Sequence, residues 1–384
     1  MHIEGPEACT PEDRDGVVTL IDSILRIGSQ QTMVTDYPLV YRNDNLENVT
    51  IVRANGKPVA VVPFIPWSTH HEGCELRVGI ISPTGTHPNF RGHGFGLQCL
   101  NRGIARMNER GIELSVLWTL VPTFRFYNHG GFQAVKDQGS CFTLTQNQAG
   151  WFQDHGETIA PPGEVQKHLP AIQKLRHAEP IGLLRNDDRA AALHSLPLLT
   201  TYVALRDDQP VAYLAYSQSS NKPGVTEAAG DQLALETIMH RLLAATETEE
   251  TVEIFCPLCD TNFSRMLDRV CHSEREPFVE GTMFRINNVP GLFRSLSPWL
   301  YRRAAGQTMT FSITVTDTNE TVSLEFNHDR LTIGDQRQKT HFDLSRLDLT
   351  SVVFGAHPCR PFNPPEPLAS LFPYHFPISI LDRS

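Results

Sequence analysis

Three glycines alternate in Arg91-Gly92-His93-Gly94-Phe95-Gly96, directly ahead of Leu97, Leu100, Ile104 and Met107, which share one helical face until Gly111 closes the run. Without Cβ atoms at 92, 94 and 96 the main chain can curl tightly there. The first N–H groups of a helix have no intrahelical acceptor and stand at the positive end of its dipole, so a curl at that point is fitted to a phosphate or diphosphate, with Arg91 adding charge. A dinucleotide fingerprint would place GxGxxG after a first strand, with an acid about 20 residues on. Here the run reads R-x-x-G-x-G and follows an antiparallel hairpin, which points away from NAD.

That hairpin is Val49-Thr50-Ile51-Val52-Arg53 and Pro58-Val59-Ala60-Val61-Val62 around Ala54-Asn55-Gly56-Lys57. Asn-Gly between β-branched runs is a strong two-residue turn signal. Ahead of it, Thr10-Pro11-Glu12-Asp13 has the hydroxyl, proline and acids of a helix start. Val18, Ile21, Ile24 and Leu25 then repeat at helical spacing, and Gly28 ends the run. Behind the hairpin come a strand at 76–81, the glycine curl with its helix, a buried strand at 114–118 and a short helix at 124–128.

At 384 residues the chain is too long for one hydrophobic core, and about 150 residues per domain predicts two or three. A second unit echoes the first. Its hairpin pairs 202–206 with 211–215 across Asp207-Asp208-Gln209-Pro210, and Leu233, Ile238, Leu242 and Leu243 mark a helix. A strand at 252–255 and a helix at 263–270 follow, while the glycine curl and the tyrosine are missing, so it reads as a degenerate internal copy. A third unit begins near Val289-Pro290-Gly291, with a hairpin of 311–316 and 321–326 around Asp317-Thr318-Asn319-Glu320, a short helix within 344–354 and a proline-rich tail. It shows no catalytic constellation. The predicted domains are therefore 1–150, 151–288 and 289–384.

Apolar residues make up 40% and charged residues 20%, ordinary for a globular chain. No stretch approaches the roughly 18 apolar residues that cross a bilayer. The opening Met1-His2-Ile3-Glu4-Gly5-Pro6-Glu7 is acidic and lacks the basic start and apolar core of a signal peptide, so a cytoplasmic protein without a membrane partner is expected. A formal charge of −10 with no Lys/Arg cluster argues against broad nucleic-acid binding and suits a cationic substrate. The cysteines at 9, 74, 99, 141, 256, 259, 271 and 359 are too scattered for a disulfide framework, and reduced thiols are expected. Cys256-Pro257-Leu258-Cys259 followed by Cys271-His272 is the one metal-like arrangement. A structural zinc usually takes two paired ligand groups of similar spacing, so no metal is predicted.

Phe126-Tyr127-Asn128-His129-Gly130-Gly131-Phe132 sets a tyrosine one helix and one strand beyond the curl. Alone, Tyr127 reads as a half-buried core aromatic; beside an anion-binding curl that balance changes. Arg91-x-x-Gly94-x-Gly96 after Thr86-His87-Pro88-Asn89-Phe90, with FYxxxGF at 126–132, resembles the acyl-CoA diphosphate motif and the following helix motif of the GNAT acetyltransferases. Asp44-Asn45-Leu46-Glu47-Asn48 before the hairpin, the degenerate second unit, Phe284-Arg285-Ile286-Asn287-Asn288-Val289-Pro290 and a strand-rich C-terminal unit are similar to the Eis (enhanced intracellular survival) acetyltransferases.

The resemblance implies an α/β (α+β) protein: a GNAT fold with a mixed, mostly antiparallel sheet, a degenerate GNAT-like domain and a C-terminal sterol-carrier-protein-like domain. It implies acetyl transfer from acetyl-CoA to a primary amine, of a small cationic molecule or a lysine side chain, by direct attack in a ternary complex. The main chain of Thr84, Gly85 and Thr86 would splay from its neighbouring strand, hold the pantetheine and present an N–H to the thioester oxygen. Arg91, Gly92, His93, Gly94, Phe95 and Gly96 would hold the diphosphate. Tyr127 falls at the family's general acid, and the C-terminal carboxylate, on Ser384 here, at its base. Glu75, Glu113, His87 and His129 are local alternatives, each with a plainer role as a solvated or packing residue.

A phenol near pKa 10 protonating a thiolate near 8.5 is uphill by about 1.5 units, roughly 2 kcal/mol. Tyr127 must act as charge forms, or donate from a pKa that the site lowers. A homo-oligomer is compatible with all of this. Two other readings are a lipid-binding or regulatory protein with a vestigial GNAT domain, and an acyltransferase with a longer acyl-CoA donor. Intact Arg91, Gly94, Gly96 and Tyr127 count against the first.

Overall fold

The computed structural model describes residues 1–28, 31–218, 224–271, 275–277, 281–304 and 306–383. In chain order its elements are β1 (Ile3–Ala8), α1 (Arg14–Leu25), α2 (Met33–Asp36), β2 (Val49–Ala54), β3 (Lys57–His71), β4 (Cys74–Ile81), β5 (Gly85–Thr86), α3 (Phe95–Glu109), β6 (Leu114–Thr119), α4 (Phe124–His129) and β7 (Gln133–Ala134). Next come β8 (Gly139–Leu144), β9 (Thr158–Ile159), α5 (Val165–His177), β10 (Ile181–Leu183), α6 (Asp187–Leu193), β11 (Leu199–Arg206), β12 (Gln209–Ser217), β13 (Gly224–Gly230), α7 (Gln232–Ala245), β14 (Val252–Pro257), α8 (Asn262–Val270) and β15 (Glu276–Pro277). The chain ends with β16 (Gly281–Ile286), α9 (Val289–Ser295), α10 (Ser297–Ala304), β17 (Met309–Val315), β18 (Glu320–Asn327), β19 (Arg330–Gly334), β20 (His341–Leu344), α11 (Arg346–Phe354) and α12 (Leu368–Leu371).

These pack as two compact units, one of residues 1–136 with 280–375, the other of 137–279 with 376–384. In the first, β1 to β4 are antiparallel neighbours, β6 lies parallel to β4, and β16 pairs antiparallel with β6 and β7. Asn55 and Gly56 take φ of 50° and 75°, the left-handed pair that a two-residue hairpin between β2 and β3 requires. α3 lays Phe95, Cys99, Leu100, Ile104 and Met107 into the core with Val52, Ala60, Val62 and Phe64. Gly79 of β4 makes room for it, since a Cβ there would stand 2.3 Å from the Met107 sulfur.

The second unit repeats this plan. β11 and β12 form an antiparallel hairpin with Asp207 and Asp208 at φ of 50° and 58°. β13 adds antiparallel to β12, α7 follows, and β14 returns parallel to β13. One strand differs in each unit. β8, which follows α4 in sequence, pairs with β14 of the second unit, whereas β16, which follows α8, pairs with β6 of the first. The predicted boundaries at 150 and 288 therefore fall away from the unit edges, because no local signal tells a strand which sheet will accept it.

Residues 289–375 pack with the first unit. Their sheet runs β19-β18-β17-β20, with Phe311, Ile313, Val315, Val322, Leu324 and Phe326 buried. Phe354 of α11 meets Phe284 of β16 at a ring separation of 4.4 Å.

The first helix differs from its prediction. It starts at Arg14, and Thr10 does not cap it; instead the Asp13 carboxylate accepts from the Thr10 N–H and hydroxyl at 2.9 Å and pairs with Arg53. Its inward face is Val17, Leu20 and Ile21, while Leu25 is 42% exposed. All eight cysteines are free thiols. Cys256 is buried in β14, His272 lies outside the described residues, and among the described residues no cluster of three metal-ligating side chains occurs. No helix among them is long and apolar enough to cross a membrane.

Candidate functional site

β4 and β6 run side by side only from Val78 opposite Leu114 to Ile80 opposite Val116. Beyond that β6 continues to Thr119 against β16, while the other chain turns at Ser82-Pro83 and folds back so that Gly85 and Thr86 pair with Val61 and Ala60 of β3. The curl follows. Gly92 and Gly94 have φ of 79° and 80°, which side-chain-bearing residues rarely adopt, and Gly94 is the N-terminal cap of α3. Gly96 serves a different need: a Cβ there would stand 2.9 Å from Thr86 Oγ1 and 3.5 Å from the Phe126 ring, so β5, the first turn of α3 and α4 converge on it.

Main-chain N–H groups 92–97 donate to no other residue among the described residues, and the first closing bond of the helix is Gln98 N–H to Gly94 O at 3.0 Å. Six consecutive residues thus offer donors at the positive end of a 15-residue helix. Arg91 is exposed and anchors its Nε on the Thr86 carbonyl at 3.2 Å. The His93 ring stacks on Phe95 at 5.7 Å. This arrangement can hold a diphosphate.

Tyr127 projects from α4 and is 9% exposed, edge-on to Phe126 at 4.9 Å and to Phe132 at 6.1 Å. Burial raises its pKa above the ordinary phenol value, and the Thr84 side chain opposes the rise. The protein surroundings therefore do not lower the phenol's pKa, one of the two routes open from sequence. Thr84 Oγ1 is itself buried.

α4 is held from its far end. Gly130 lacks the Cβ that would strike Leu100 Cδ2 at 2.6 Å, and the Gly130 carbonyl accepts from Arg285 Nε at 3.0 Å. Burial, with Arg346 nearby, lowers the Arg285 pKa to about 9. Its neighbour Asn287 bonds Ser115 of β6, and Asn288 caps α9 at the Gly291 N–H. The 284–290 motif is thus the joint between the α4 turn, the central strand and the C-terminal segment. Nothing local in the sequence announced Arg285, because its partner lies 155 residues away.

The base candidates separate. Glu113 is buried and accepts from the Arg77 N–H at 2.7 Å, a strand-end role. His87 accepts from the Asn89 N–H at 3.2 Å, His129 and Glu75 are exposed, and Ser384 lies outside the described residues. Asn45 of the 44–48 motif is also structural, donating to the carbonyls of Val40 and Phe64. One relay was missed from sequence: Ser312 Oγ lies 2.7 Å from His341 Nδ1, whose Nε2 lies 3.1 Å from Asp343. Ser312 has no exposed surface and also accepts the Gln338 N–H at 2.8 Å, so the relay fastens β20 to β17 and offers no nucleophile.

Residues 8–135 match the profile of the acetyltransferase (GNAT) domain. No curated protein matches the chain. Among solved structures it is similar to the GCN5-related N-acetyltransferase from Kribbella flavida, with 14% identity and a TM-score of 0.68 over 91% of this chain and 89% of that one. The GCN5-related N-acetyltransferase from Anabaena variabilis gives 14%, 0.67, 91% and 89%. Eis1 from Mycobacterium abscessus gives 15%, 0.61, 92% and 89%. At such identities the likeness is one of fold, and it runs through both units.

Proposed function

We propose that this chain, an acyltransferase whose residues 8–135 are a GNAT acetyltransferase domain, moves an acetyl group from acetyl-CoA to a primary amine of a small cationic molecule or a lysine side chain. The observation that carries the reading is the run of undonated N–H groups at 92–97, on a backbone that two left-handed glycines hold open. Those groups take the diphosphate oxygens, and Arg91 adds charge. Thr84 to Thr86 lie where β4 has left β6, and their main chain holds the pantetheine and offers an N–H to the thioester oxygen.

The amine attacks the thioester carbon directly, the C–S bond breaks, and Tyr127 gives its proton to the departing sulfur. Because burial already raises the phenol's pKa, the transfer runs with charge development and not ahead of it. The amine's proton leaves to a base, for which the resemblance offers the carboxylate of Ser384. A net charge of −10 suits a cationic acceptor. The second unit shares the strand and helix order of the first and is read as a degenerate GNAT-like domain, with residues 289–384 as the sterol-carrier-protein-like part.

The test is free-thiol release from acetyl-CoA against an amine library. Tyr127→Phe should lose about 100-fold in kcat while acetyl-CoA still raises its Tm. Unchanged kcat would remove Tyr127 from the chemistry. Running acetyl-CoA beside CoA and longer acyl-CoAs in the thermal shift fixes the donor, since a ligand at a hundred times its Kd stabilises by about 2.7 kcal/mol.

A further inference from the structure

We propose that Arg285 is a positioning residue for Tyr127: its guanidinium ties the turn that ends α4 to the end of β16 and so sets the place from which the phenol delivers its proton. This rests on the reading of Tyr127 as the acid.

α4 has six residues, too few to hold a helix by themselves. Thr123 ahead of it makes no side-chain cap, and its hydroxyl donates back to the Leu120 carbonyl at 2.7 Å, in a stretch where Leu120 and Val121 are 66% and 57% exposed. The end of α4 is built differently. The Tyr127 carbonyl accepts from the N–H groups of Gly130 and Phe132 at 2.9 and 3.1 Å, so the turn closes on the tyrosine itself. The Gly130 carbonyl then accepts from Arg285 Nε at 3.0 Å, while Arg285 Nη1 donates to Asn287 Oδ1 at 2.6 Å. Asn287 Nδ2 in turn donates to Ser115 Oγ of β6 at 2.7 Å. One planar fork and one amide thus connect the tyrosine's turn to the central strand.

Packing alone would not favour a guanidinium here. A Cβ on Gly131 would stand 3.3 Å from Arg285 Nε and 3.4 Å from Arg346 Cδ, so two arginine stems converge on the turn. Glu320 acts on both, and Arg346 holds it at 3.1 Å. A guanidinium taken out of water beside a second one costs stability that an apolar side chain would not. What it adds is direction, because its donors lie in one fixed plane and reach two acceptors at once. Proton transfer depends on that direction: a displacement of about 1 Å at a reacting group can lower the rate on the order of 100-fold. Arg285 gives up no proton and acts through the place of the tyrosine.

Arg285→Lys keeps the charge and most of the stem but loses the fork. We expect kcat to fall about tenfold, with KM for acetyl-CoA and the rise in Tm that acetyl-CoA induces both unchanged. Arg285→Met, which loses both bonds, should fall further at the same KM; if it does not fold, the lysine variant carries the test. In a Tyr127→Phe background Arg285→Lys should cost nothing further, because no phenol is left to misplace. Full kcat in Arg285→Lys and Arg285→Met, a loss that appears in KM instead of kcat, or the same tenfold loss with and without the tyrosine hydroxyl would overturn the proposal while leaving Tyr127 as the acid. Full kcat in Tyr127→Phe would instead overturn the acid assignment, and this proposal with it.

Discussion

α3 and α7 occupy the same place in the strand order of their units, yet they begin in opposite ways. α3 starts from Gly94 at φ 80° after a glycine curl, and N–H groups 92–97 have no acceptor among the described residues. α7 starts from Asp231, one residue after β13, and the Asp231 carboxylate accepts from the N–H groups of Leu233 and Ala234 at 3.2 and 3.1 Å. One helix end is open to an anion from outside; the other carries its own anion. The units differ inside as well. In the second, Arg176 and Arg185 are buried against Glu227 and Asp382, with Arg185 Nε to Asp382 at 2.8 Å, Arg176 Nε to Glu227 at 3.0 Å and the Tyr213 hydroxyl donating to Glu227 at 2.7 Å. The two arginines match the two carboxylates. The shared topology is a scaffold, and chemistry depends on whether its polar groups are left open or answered from within.

The contrast breaks most severely at Asp382. Asp382→Asn leaves two buried arginines facing one carboxylate and should destabilise the second unit by about 3–5 kcal/mol, read as a lowered unfolding transition in calorimetry. Acetyl-CoA should still shift the transition of the first unit. Acid should act on both units. His71 in the first and His194 in the second have pKa values lowered to about 4, each chiefly by burial, with Arg185 adding to the effect at His194. Their unfolded forms bind a proton near pH 6.5. Stability is therefore whole above that value and falls as pH drops toward 4, by on the order of 3 kcal/mol per histidine. Tm measured across that range should fall for the native chain and less for His194→Gln.

Making α3 resemble α7 sharpens the comparison. Gly94→Asp puts a carboxylate at the open helix end and should weaken acetyl-CoA binding about 100-fold by calorimetric titration, roughly 2.7 kcal/mol. A variant that binds normally would show that the curl is not the diphosphate site. The reverse change is the mildest. Asp231→Ala removes a helix cap, should cost about 1 kcal/mol in denaturant melts, and should create no acyl-CoA binding in the second unit, which has no curl to hold it.

Much of the framework was legible in the residues. Asn55-Gly56 and Asp207-Asp208 are residue types that tolerate left-handed backbone, and both hairpins appear where expected. The α3 stripe from Leu100 to Met107 is an amphipathic helix by periodicity, and the alternate glycines mark the curl. Elsewhere local signals lost to distant partners. Thr10 to Asp13 carries a helix-start pattern, but Arg53 claims Asp13 and the helix begins later. β1 holds Gly5 and Pro6 and has no strand signature; it forms because β2 offers it an edge. Thr84 was visible as a main-chain position, whereas the burial of its hydroxyl was not.

By itself the sequence determined what depends on a residue and its near neighbours: left-handed turns, helical faces, a glycine curl able to bare its N–H groups, and a tyrosine one helix and one strand beyond. The tertiary structure alone decided which sheet received β8 and which β16, that Asp382 closes an ion cluster with Arg176 and Arg185, that Arg285 holds the far end of α4, and that burial lifts the Tyr127 pKa. The reason is physical. Backbone preference and periodicity act over a few residues, whereas desolvation and charge pairing depend on what the whole chain brings together.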